Sequence, residues 1–246
     1  MRQPNFNGNN AAGFSLIELM IAMGTTLVVM GIATTLLASS FNVRARENRR
    51  SDGLADVQRA LNIMTREIAN SGFNLINNGV VGCAGGACDS DGVSIRIRAN
   101  LNRYTESNTD VLQPGEDLKY FLQPSADGLT VYLARYDANN AGVKATVLAN
   151  RVDALQFHYF DERVNYTTGT YNSATPTASL LQNVTNSAGN VENEVSPNLA
   201  AYIVIVLCVQ LDAVGTPGSP GYQPSSSVLL ASDVALRNEL ASDYKY

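Results

Sequence analysis

The first pattern along the chain is an almost unbroken apolar run from Leu19 to about Ala38, preceded by Phe14, Leu16 and Ile17. At 1.5 Å per helical residue, Phe14 to Phe41 is long enough to cross about 30 Å of hydrocarbon. Beyond it the pattern narrows. Leu54, Val57, Leu61, Met64 and Ile68 recur at helical spacing, with Arg59, Arg66 and Glu67 off the stripe. No proline lies between Pro4 and Pro114, and Ser71-Gly72 supplies a C-terminal stop. The pattern predicts one continuous helix of about 55 residues, roughly 80–85 Å long. Its first half is apolar all round, and its second half needs a partner on one face. Two heptads are too few for a coiled-coil seam, so the stripe is expected to pack on a sheet.

After a Gly-rich loop, the period changes from helical to alternating. Val93 to Arg98 alternates strictly. Leu118–Leu122 and Leu129–Tyr136 read as a further strand pair. Val152 to Phe160 carries alternating Leu155, Phe157 and Tyr159. Tyr202 to Leu211 is nearly all apolar and β-branched, as a strand covered on both faces should be. Val228 to Leu240 completes the fold. Residues 165–197, rich in Thr, Ser and Asn, and 214–227, rich in Pro, Gly and Ser, read as long surface loops. The class is α+β, a long helix across an antiparallel sheet.

Charge sharpens this division. Arg44 to Glu67 holds six arginines and four acids, whereas residues 71–246 hold ten basic and seventeen acidic side chains. An acidic head argues against a nucleic-acid surface built on phosphate contacts. One carboxylate, Glu18, lies inside the apolar segment. Ionised in hydrocarbon it costs several kcal/mol unless it is paired, which makes it the first functional candidate.

The stretch Gly13-Phe14-Ser15-Leu16-Ile17-Glu18-Leu19-Met20-Ile21-Ala22 resembles the type III signal of type IV pilins and type II secretion pseudopilins. The resemblance implies a leader at 1–13, cleaved after Gly13 by prepilin peptidase, and N-methylation of the new N-terminal Phe14. It implies a transmembrane half at 14–41, an amphipathic half at 42–72 and a β-rich head at 73–246. Glu18 then becomes the assembly residue, pairing with the amine that cleavage creates. Asp56 to Leu61, Thr65 to Phe73, Val152 to Asp161 and Val234 to Asn238 are similar to minor pilins of the PilW kind and to the related pseudopilin J. The partners implied are prepilin peptidase, other minor pilins and the major pilin (or pseudopilins), an inner-membrane assembly platform and membrane lipid. The expected location is the inner membrane, single-pass, with the head in the periplasm and later in a pilus at the cell surface. The expected roles are priming or capping of pilus assembly, with twitching motility and adhesion downstream. A tip adhesin using the 165–197 loop is the reading from another class. Arg44, Arg46, Arg49 and Arg50 after the span would by themselves place the head inside the cell. The signal is the more specific address, and orientation follows it.

Catalytic motifs are absent from the sequence: no Gly-x-Ser-x-Gly elbow, phosphate-binding Gly-Lys-Ser/Thr loop or His-Glu-x-x-His pair. The single histidine, His158, reads as an ordinary strand residue, so no enzyme, cofactor or metal is expected. Asp89-Ser90-Asp91-Gly92 begins like a calcium loop but lacks the later ligands, and reads as an acidic turn. Cys83 and Cys88 enclose a flexible Ala-Gly-Gly-Ala loop. They could close a disulfide in an oxidising compartment or remain thiols. Cys208, inside the apolar run, is expected to behave as a small buried hydrophobe.

Overall fold

The structure is a computed structural model that describes residues 14–84, 87–101, 113–128, 130–142, 144–175, 178–219 and 221–238. The leader, with Gly13, lies outside the described residues, as does the end of the last anticipated strand at Leu240. A single helix, α1 (Leu16–Ala69), opens the fold. It is followed by β1 (Cys83–Ala84), β2 (Ala87–Cys88), β3 (Ile95–Arg98), β4 (Asp117–Pro124), β5 (Val131–Asp137) and β6 (Ala145–Asn150). Then come β7 (Val152–Phe160), β8 (Val164–Thr168), β9 (Leu181–Asn186), a short 3-10 turn (Pro197–Leu199), β10 (Tyr202–Leu211) and β11 (Ser226–Ala235). All pairings are antiparallel. The architecture is α+β.

Two compact units divide the chain. One holds α1 as far as Arg46 together with Val214–Gln223; the other holds α1 from Glu47 and all the named strands. In the second unit, the sheets β11-β10-β7 and β3-β4-β5-β6 share one core with the helix. Val57, Ala60, Leu61, Met64 and Ile68 are the buried residues of α1, all at the helical spacing of the stripe. They meet Ile203, Ile205 and Leu207 of β10, Leu155, Phe157 and Tyr159 of β7, and Ile95, Tyr120 and Leu133 of the other sheet in that core. Burying a side chain such as Met64 or Ile68 stabilises by about 1.5–3 kcal/mol.

The helix stops where a left-handed residue is needed. Gly72 has φ 75°, and a Cβ there would lie 2.5 Å from the Asn77 carbonyl oxygen. Its N–H donates to the Arg98 carbonyl at 2.9 Å, and the Ser71 hydroxyl donates to Asn78 at 2.7 Å. These bonds tie the helix end to the edge of β3.

The second face of β10 has its own core. Tyr202, Val204, Val206 and Cys208 point away from the helix and cluster with Ala154, Phe160, Val164, Leu180 and Leu181. The cover is the hairpin β8–β9. This corrects the expectation that 165–197 is only a surface loop: both strands of a hairpin lie largely within it. Gln156 fastens the approach to β9, donating from Nε2 to the Ala178 carbonyl at 2.8 Å and accepting the Leu180 N–H at 2.8 Å. β6 was also unforeseen; Ala145, Thr146 and Val147 are exposed, so the segment shows no apolar alternation.

The 214–227 region departs from expectation too. Val214 and Gln223 exchange backbone hydrogen bonds at 2.9 and 3.0 Å, and Ser226 already belongs to β11. The closed loop lies on α1 within the first unit: Arg46 Nη1 donates to Gln223 Oε1, and a Cβ on Gly221 (φ 79°) would approach Ser39 Cα to 2.8 Å.

Candidate functional site

Among the described residues, the N-terminal half of α1 is an exposed apolar surface up to the loop that meets Ser39. Phe14 is 80% exposed, and Leu16, Ile17, Met20, Leu27, Val28, Leu36 and Phe41 are exposed with it. Mean hydropathy reaches 2.0 over 18 residues, enough to cross a membrane by length and composition. A soluble chain rarely leaves so large an apolar patch in water.

Its threonines and its one carboxylate are held differently. The hydroxyls of Thr25 and Thr26 donate to the Ala22 carbonyl at 3.0 and 2.6 Å, Thr34 to Gly31 at 2.9 Å and Thr35 to Ile32 at 2.8 Å. Each is satisfied within its own helix, so none resists an apolar environment. Glu18 is the carboxylate. It sits in the first helical turn, where the Leu19 N–H donates to Ser15 at 3.1 Å, and is the only ionisable side chain between Phe14 and Phe41. It forms no ion pair among the described residues. The threonine pattern could have been read from the sequence, since Thr in a helix returns its proton to the preceding turn.

Elsewhere, polar side chains join each other. Asp117 accepts from Arg96 Nε at 2.7 Å, Arg96 Nη2 at 2.8 Å and Arg98 Nε at 3.0 Å. Asp89 pairs with Arg96 at 2.9 Å and with Lys119 at 3.6 Å. Burial pushes the Asp117 carboxyl up, but the hydrogen bonds and charge of Arg96, then of Arg98, outweigh it and hold the group below the usual carboxylate range. The same hydrogen bond raises the Arg96 guanidinium against its own desolvation. Asp91 Oδ1 accepts the N–H groups of Val93 and Ser94 at 2.9 and 2.7 Å, so Asp89 to Gly92 forms a hydrogen-bonded turn. No cluster able to hold a metal occurs among the described residues.

Glu67 links α1 to the four-stranded sheet. It accepts Arg135 Nε at 2.9 Å and Nη2 at 3.0 Å, and the Tyr120 hydroxyl donates to it. His158 is buried on the β8–β9 side, with Nδ1 2.7 Å from Glu194 Oε1 and Nε2 without a hydrogen-bond partner among the described residues. Cys83 and Cys88 pair across β1–β2 as a disulfide, beyond the C-terminal end of α1. Cys208 is free and wholly buried; burial first, then the Asp153 carboxylate, pushes its thiol up to about 11.

No family model, curated protein or solved structure matches this chain. Its function must be read from its residues. Among them, one carboxylate on an exposed, membrane-length apolar helix stands apart from the ion pairs formed in the head.

Proposed function

We propose that the chain is a minor subunit of a type IV pilin-like filament, cleaved after Gly13 by prepilin peptidase, N-methylated at Phe14 and held in the inner membrane with its head in the periplasm until assembly. The observation that carries this is Glu18 in the first turn of an apolar helix whose other internal polar groups are mainly self-satisfied threonines. Cleavage would make the Phe14 amine a cation one helical turn away, at nearly the same membrane depth. The carboxylate can then pair with that amine in its own helix or in a neighbour's. A subunit entering a filament must bury the carboxylate, so a neighbouring N-terminus offsets the desolvation. The partners on this reading are the other minor pilins, the major pilin, an inner-membrane assembly platform and lipid. The chain works by packing, without catalysis. The same geometry would serve as a minor pseudopilin of a type II secretion system.

The test is Glu18→Ala and Glu18→Leu as the sole copy in the source cell. Membrane insertion and cleavage after Gly13 are expected to persist while incorporation falls, with loss of pili and twitching separating a pilus subunit from one whose loss stops protein secretion. Normal assembly with either variant would overturn the proposal. So would a cytoplasmic head in a cysteine-accessibility assay on intact cells.

A further inference from the structure

The two larger sheets have four outer edges, and three are closed or interrupted. The edge of β3 is taken by the preceding segment: Val80 bridges to Ile97, and the Val81 N–H donates to Arg96 at 2.9 Å. The edge of β7 meets Gly92 and Val195, through Phe157 N–H to Gly92 at 3.0 Å and Val195 N–H to Tyr159 at 2.9 Å. β6 has six residues between Lys144 and Arg151, and its pairing with β5 shifts register. Short length, flanking cations and irregular pairing all discourage a further strand.

Among the described residues, β11 has none of these protections. It runs ten residues, pairs with β10 in one unbroken register from Ser226 to Ala235, and contains neither proline nor any charge before Asp233. Val228, Leu229, Leu230 and Ala231 are only half-buried, since one flank of each stands open. Beside the C-terminal end of this edge lies a groove between α1 and β11, lined by Thr65, Arg66, Ala69, Asp233, Val234 and Arg237. Asp233 already accepts the hydroxyls of Tyr202 and Tyr166. Arg66 and Arg237 are exposed and form no ion pair among the described residues.

We infer that the outer edge of β11, which no described residue pairs with from Ser227 to Ala235, binds an extended segment of another polypeptide by strand addition. Only an extended backbone offers donors and acceptors at the spacing of such an edge. The half-buried Val228, Leu229 and Leu230 call for small or β-branched apolar side chains on both faces of the incoming strand, and the two arginines call for a carboxylate at its end over the groove. The site stands whether or not the chain joins a filament.

The probe is the peptide acetyl-Asp-Val-Thr-Val-Thr-Val-Thr-amide, whose Asp reaches the groove when the peptide pairs antiparallel to β11, titrated onto the isotope-labelled full chain in detergent micelles. Amide exchange should slow at alternate residues of β11 and not along β6. Methylating alternate peptide nitrogens should weaken binding by about tenfold or more, a control that leaves the protein unaltered. Arg66→Glu with Arg237→Glu should weaken the Asp-bearing peptide while sparing one with Asn in its place. Absence of protection along β11 at millimolar peptide would overturn the inference, as would equal binding of the methylated peptide. Protection that grows with protein concentration alone would assign the edge to a second copy of the chain, and would also overturn it.

Discussion

Replacing Asp117 by Asn should expose how much the head depends on one buried carboxylate. Its side chain is only 6% exposed and accepts three hydrogen bonds from two guanidinium groups. Stranding a fully buried cation costs about 3–5 kcal/mol. Arg96 retains Asp89, however, and the Arg96 and Arg98 side chains are 24% and 38% exposed, so water recovers part of the loss. The expected cost is therefore about 2–3 kcal/mol, below the fully buried case. For a domain of this size that lowers Tm by roughly 4–12 °C, since each kcal/mol is worth about 2–4 °C. The pH dependence has a fixed sign. The folded-state pKa lies below the unfolded value of about 3.9, so the stabilisation is complete well above pH 4 and fades as pH falls through the folded value. Thermal melts of the full-length chain in detergent, from pH 7 down to 3, should show wild type and Asp117→Asn converging at the acid end. A neutral-pH difference under about 0.5 kcal/mol, within the usual scatter of surface substitutions, would refute the reasoning. A gap that stays constant to pH 3 would refute it equally.

Other consequences are checked more simply. Gln156→Ala leaves the buried Leu180 N–H without its acceptor and should cost about 1–3 kcal/mol, seen as faster amide exchange in β9 before the helix-side core opens. Gly79→Ala should cost more than 3 kcal/mol, roughly the scale of strain plus a clash, because φ is 74° and the new Cβ would fall 2.1 Å from the Gly72 nitrogen. Cys208 should resist thiol reagents at pH 8 in the folded chain and react at once in denaturant, because burial holds its pKa at about 11. Fast labelling of the folded protein would contradict that burial.

Period was the most legible feature of the sequence. Four of the five stripe residues, Val57, Leu61, Met64 and Ile68, lie on the buried face of the helix, and the first, Leu54, is half-buried. The nearly all-apolar run of β10 is covered on both sides from Tyr202 to Val209, and Tyr202 to Leu211 are the strand's bounds. What covers the second face was not legible. β8 and β9 present one inward face and a polar outward one; Thr167, Gln182 and Asn183 dominate their composition and mask Val164 and Leu181. A doubly covered strand nevertheless demands a second layer, and the unassigned 165–197 region held the residues for it. The ion network around Asp117 escaped for another reason. Asp117 lies 21 and 19 residues from Arg96 and Arg98, and only the β3–β4 register, which pairs Arg98 with Asp117, brings them together. At the N-terminus, Glu18 could be singled out because the chemistry of one charge among apolar neighbours is local. The adhesion reading changes with the hairpin: deleting 165–197 would uncover Val204 and Val206, so substitutions at the exposed tip near Ser187 are the cleaner probe of attachment.

If α1 crosses a bilayer beside other helices, as proposed, its threonines have a consequence for those neighbours. Because Thr25, Thr26, Thr34 and Thr35 return their protons to their own backbone, they offer little to an adjacent helix and exact nothing from it. Sideways contact along this segment is therefore nearly indifferent to sliding, apart from the shape of the side chains. Glu18 alone marks a depth. A slip of one residue moves it about 1.5 Å along the axis, and a slip of one turn about 5.4 Å, far enough to part a carboxylate from its cation. On the proposed reading, one carboxylate would act as a vernier mark on an otherwise smooth rod, fixing axial offset where packing alone would leave it free.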